Sequence, residues 1–123
     1  MLKEDYCSFE VAKLLKEKGF DEKCLRWYVA NEPQEGIVEN GFGENQFYIN
    51  APTHQMAMKW FREVHNISVE PFSDWVISDK GWIRLWSVDI AKIVKDGLIT
   101  ELTRKSYEEA VEAALKYSLE NLV

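Results

Sequence analysis

Any chemistry done by this chain has few side chains to draw on: two histidines (His54, His65), two cysteines (Cys7, Cys24) and carboxylates that outnumber basic residues 21 to 15. A helix carrying both histidines sets them three turns apart, roughly 16 Å by helical rise, which is too far to share one metal ion. Neither stands in an HExxH pattern, and the cysteines are too widely spaced for a CxxC redox or zinc motif. No metal or cofactor is therefore expected, and both histidines read as solvent-facing. A nucleophilic cysteine needs a base within hydrogen-bond reach. Neither cysteine stands in a recognisable strand-to-helix elbow, so two free, partly buried thiols are expected. Gly41-Phe42-Gly43 lacks the third glycine, the basic residue and the following helix that phosphate capture requires. Glu108, Glu109 and Glu112 are better explained by helix capping and dipole effects than by acid–base catalysis.

The tryptophans are the anomaly. Five occur in 123 residues, and such residues mark either a large aromatic core or a contact surface. Trp82, Arg84 and Trp86 fall on one face of a strand. Aromatic rings alternating with a cation resemble a stacking platform for single-stranded nucleic acid, but a net charge of −6 repels a phosphate backbone. The first reading is a sheet core covered by a helix, with the Arg84 stem over a ring; the second is a surface for a protein partner or for a second copy in a homodimer. From 31 to 45 the chain holds Glu32, Glu35, Glu39 and Glu44 with no basic residue. That segment reads first as a solvated acidic loop and second as a contact for a basic partner.

Local patterns supply the elements that position these residues. Ser8 caps a helix over about Phe9–Lys18, striped by Val11, Ala12, Leu14 and Leu15 and stopped by Gly19, with Phe20 folding back. Alternation predicts a strand over Cys24–Ala30, paired antiparallel across the acidic loop with a second over Gln46–Asn50. Pro52 and Thr53 open a helix over about His54–His65, whose apolar face is Met56, Ala57, Trp60, Phe61 and Val64. Ile67 and Val69 begin a strand that Pro71 should end or confine to a sheet edge. Trp75–Ser78 and Trp82–Val88 form a hairpin about Asp79-Lys80-Gly81. Asp89–Leu102 reads either as more sheet or as a short helix. Ser106 and Glu109 make a capping box for a helix to about Asn121.

These elements predict an α+β fold in the order α-β-β-α-β-β-β-α, with three amphipathic helices packed on a mainly antiparallel, tryptophan-rich sheet. Residues 1–123 are expected to be a single domain, since 46% hydrophobic and 29% charged residues are ordinary globular composition at this length. Neither disulfide nor metal is needed to hold a fold this size. No apolar stretch spans a bilayer, and the acidic start is unlike a secretory signal, so a cytoplasmic location and no membrane partner are expected.

Three segments carry a resemblance: Ser8 to Phe20 (SFEVAKLLKEKGF), Ala51 to Asn66 (APTHQMAMKWFREVHN) and Ser106 to Leu122 (SYEEAVEAALKYSLENL). In this order they resemble small uncharacterised proteins encoded by phages and prophages of anaerobic gut bacteria; the acidic loop and Val88 to Lys105 fit less well. The resemblance implies a genomic setting and no catalytic residues. The expected function is a non-enzymatic accessory protein that acts as a protein-interaction module. The rivals are a nucleic-acid binder using Arg84, Lys59 and Arg62, and a small hydrolase or transferase.

Overall fold

The computed structural model describes residues 2–29, 38–39, 48–93 and 97–123. Its elements run α1 (Phe9–Glu17), β1 (Arg26–Val29), β2 (Val38–Glu39), β3 (Tyr48–Asn50), α2 (His54–Val64), β4 (Ile67–Ser78), β5 (Gly81–Lys92), β6 (Gly97–Arg104) and α3 (Tyr107–Asn121). This is the expected α+β succession with the two-residue β2 added. Every strand pairing is antiparallel, but the strands divide into two sheets rather than one, ordered β2-β1-β3 and β4-β5-β6.

All three helices start on the residues the pattern assigns. Ser8, Thr53 and Ser106 are extended, and their hydroxyls accept from the N–H of Val11, Met56 and Glu109, which satisfies donors the first turn cannot. Helix α1 stops at Gly19, whose φ of 97° is open to glycine. The amides of Phe20 and Gly19 return to the carbonyls of Leu15 and Lys16, the paired bonds of a Schellman stop. Phe20 is thereby folded back and buried against Trp60, with ring centroids 5.5 Å apart.

Strand β4 runs unbroken through Pro71, because β4 is an edge strand and the missing N–H falls in a sheet that tolerates it there. Residues 89–92 continue β5, and 97–104 form β6; the short-helix alternative for this stretch is thereby excluded. The register slips between Ile90 and Ala91, a bulge in the pairing of β5 with β6. In the segment expected to be an acidic loop, Val38 and Glu39 instead pair with Trp27 and Arg26 of β1. Glu32, Glu35 and Glu44 lie outside the described residues.

The main core lies between the helices and one face of the β4-β5-β6 sheet. Val69, Val88 and Ile90 supply the sheet side; Val11, Leu15, Phe61, Val111, Leu115 and Leu119 supply the helical side. Helix α1 also serves a smaller cluster in which Ala12 meets Tyr28, Ile49 and Ala51. Among the described residues no helix is long and apolar enough to cross a membrane. Phe61 is fully buried and touches the rings of Trp60 and His65. Its truncation leaves a cavity, so Phe61→Ala should lower the urea-unfolding free energy by about 3–5 kcal/mol.

Candidate functional site: a buried polar centre and an exposed hairpin arm

The structure brings together three residues that sequence spacing keeps apart. Segments 5–7 and 52–54, which lead into α1 and α2, lie side by side: Tyr6 bridges Thr53, Cys7 N–H donates to Pro52 O, and His54 N–H donates to Asp5 O, both at 2.9 Å. Alternation about that bridge turns Cys7 and His54 toward the same face. Glu112, from the middle of α3, meets them there. Its Oε1 accepts from the Ser8 N–H and from His54 Nε2, and its Oε2 from Ser8 Oγ, each at 2.8 Å. In a capping box the Glu comes from the same helix; here a carboxylate from another helix takes the N-cap amide of α1 and the first residue of α2. Two positive helix N-termini thus face one negative charge.

Burial by itself would push the Glu112 carboxyl up. The hydrogen bonds from His54 and from both donors of Ser8, with the charge of His54, outweigh it and hold this acid below its ordinary value. An ionised carboxylate only accepts, so His54 Nε2 carries the hydrogen, and Nδ1 is buried without a partner. Burial raises the Cys7 thiol, with Glu112 and Cys24 adding to the effect. Burial, with Glu22 adding, pushes Cys24 up to about 11. Both cysteines are free and buried. A thiol so placed is a poor nucleophile.

Two sequence readings are corrected here. His54 is not solvent-facing: it is 3% exposed, and His65 stacks edge-on against Trp60 at 4.5 Å. Glu112 is not a dipole residue of its own helix but a half-buried acceptor for the starts of the other two. The missed signal is the placement of both Cys7 and His54 beside helix caps, where a buried acceptor has donors to collect.

The second feature is the far half of the β4–β5 hairpin. One face of these strands, Val69, Val88 and Ile90, is core, and the same face continues outward through Trp86, Arg84 and Trp82, opposite Ser73, Trp75 and Ile77. Trp86 is half-buried, edge-on to Tyr107 at 5.2 Å. Beyond it the helical cover ends: Trp75 is 60%, Ile77 69% and Trp82 67% exposed. The tryptophan face is therefore core at one end and surface at the other. On the reverse face Phe72, Val76 and Ile83 are also exposed. Strand β6 pairs with β5 only as far as Trp86, opposite Arg104. Among the described residues, then, the outer edge of β4 and the β5 edge from Trp82 to Leu85 carry no neighbouring strand.

Arg84 is held against its own sheet. Its guanidinium stands 5.4 Å from the Trp86 ring and 6.0 Å from the Trp75 ring, and donates to Ser73 Oγ at 2.6 Å. Across the reverse face Glu70, Asp89 and Glu101 stand opposite one another on three strands, and sharing a hydrogen bond with Asp89 raises the Glu101 acid. Lys59 and Arg62 are exposed on α2. No protein-family model, curated protein or solved structure matches the chain. The fold and these two features define an antiparallel α+β protein with a half-buried helix-capping carboxylate and, among the described residues, an uncovered apolar arm.

Removing the carboxylate strands the Ser8 amide and the His54 Nε2–H in the interior. Glu112→Ala should therefore cost about 3 kcal/mol of unfolding free energy. Glu109→Ala, on the exposed side of the same helix, should cost well under that in the same urea titration.

Proposed function

We propose that this chain is a non-enzymatic protein-interaction module, an accessory protein of a phage or prophage, that binds its partner through the hairpin arm. The carrying observation is the exposure of apolar side chains on both faces of a two-stranded arm whose edges have no neighbouring strand among the described residues. A lone hairpin is marginal in water, and an open apolar edge is a template for a further strand. The six exposed apolar residues of the arm present roughly 600 Å² between them, near the ~800 Å² that each side of a specific complex contributes.

The occupant is an extended apolar segment of another polypeptide, added as a strand beside β4. Open backbone groups supply affinity, and alternate side chains meeting Trp75 and Ile77 supply selectivity. Nucleic acid is disfavoured because Arg84 is engaged by its own sheet and the reverse face is acidic.

Site-specific photocrosslinking in the producing cell tests this. A benzophenone amino acid at Ile77 or Trp82 should give a discrete, nuclease-resistant adduct whose mapped peptide lies in an extended segment of the partner, and the same group at Glu120 should give none. Equal labelling from Glu120, nuclease-sensitive adducts, or no adduct would overturn the reading. An adduct of twice the chain mass would replace the foreign partner by a second copy. In the purified chain Trp82→Ser should change unfolding free energy by less than about 0.5 kcal/mol, so loss of the adduct in that variant reports binding rather than misfolding.

A further inference from the structure

We propose that Cys7, His54 and Glu112 bind a borderline-soft divalent transition-metal ion of the zinc class. One sulfur, one ring nitrogen and one carboxylate oxygen from these residues lie within 4.8 Å of one another. Around a tetrahedral ion, with metal–sulfur distances of about 2.3 Å and metal–nitrogen or metal–oxygen distances of about 2.0 Å, neighbouring ligand atoms stand roughly 3.3–3.7 Å apart. Small side-chain rotations therefore carry the three donors onto one ion. Their backbones are already fixed, Cys7 and His54 by the paired segments at the starts of α1 and α2 and Glu112 by α3.

A second observation points the same way. His54 is 3% exposed, and its Nε2 lies 2.8 Å from the Glu112 Oε1 that would share the ion with it. An ion taking both would replace that hydrogen bond, and the ring proton would move to Nδ1, which has no other partner.

Charge completes the argument. A Cys7 thiolate and the Glu112 carboxylate carry −2, which one divalent ion cancels, so the loaded centre is electrically neutral inside the protein. Among the described residues, His54 and Ser8 hydrogen-bond Glu112, and Cys7 and Tyr28 feel its charge. On binding, the Cys7 S–H bond breaks, its proton passes to solvent and a sulfur–metal bond forms; His54 coordinates as the neutral ring. One proton leaves per ion bound, and water takes the fourth position. The sulfur donor favours zinc-class ions over magnesium or calcium. The site uses none of the residues of the arm.

The test is titration of chelator-stripped full-length protein with cobalt(II), followed by zinc(II). One equivalent of cobalt should bind with thiolate-to-cobalt charge-transfer absorption in the wild type and in Cys24→Ser. Zinc should then displace it stoichiometrically and raise the melting temperature. Cys7→Ala and His54→Gln should lose the band, and Glu112→Gln should weaken binding at least tenfold. Absence of the band from the wild type would overturn the site, as would a band that survives in Cys7→Ala and disappears in Cys24→Ser. If Cys7→Ala does not fold by circular dichroism, the wild-type spectrum and His54→Gln decide.

Discussion

The arrangement of this protein turns on one carboxylate. Glu112 sits where the N-termini of α1 and α2 converge, and it collects three hydrogen bonds from residues 104 and 58 positions away. Each of those donors would cost free energy if buried without an acceptor, so the bonds hold three helices in one relative position. Around that point apolar packing supplies the bulk of the stability. Val11 and Leu15, Phe61, and Val111, Leu115 and Leu119 enter the same core from α1, α2 and α3. The polar centre contributes direction where the core contributes cohesion.

The same packing explains why the arm is bare. The helices cover the sheet at Val69, Val88 and Ile90 and reach as far as Trp86, where Tyr107 at the start of α3 closes the cover. Twelve-residue strands β4 and β5 continue beyond it. Gly81, with a φ of 103°, takes the chain back at the tip. Among the described residues, the apolar side chains of Trp75, Ile77 and Trp82 thus remain exposed, with no helix over them. A fold that already holds its core elsewhere can keep such residues exposed because their burial is not needed for folding.

Much of this was legible in the residues. Ser8, Thr53 and Ser106 declare the helix starts because a cap is a local device acting within three residues. Gly19 and Phe20 declare the first stop for the same reason. The pairing of β1 with β3 and the hairpin about Asp79-Lys80-Gly81 followed from alternation and turn chemistry. The common face of Trp82, Arg84 and Trp86 was equally readable, but the point at which its cover ends was not, since that depends on the length of α3 and where it docks. Pro71 reads as either the end of a strand or a residue confined to a sheet edge, and the sheet order, which places β4 at an edge, decides between the two. Cys7, His54 and Glu112 were illegible as a group, because only the tertiary fold makes neighbours of residues so distant along the chain.

Native-state amide hydrogen exchange measures both halves of this account at once. The amides of Cys7, Ser8 and His54, which donate to Pro52, Glu112 and Asp5, should exchange as slowly as those of Val111 and Leu115 in α3. The arm amides between Trp75 and Ile83 should exchange at least about 100-fold faster in the purified chain, as expected of an element that opens without the core. Rapid exchange at Ser8 and His54, or arm amides as protected as those of α3, would contradict it.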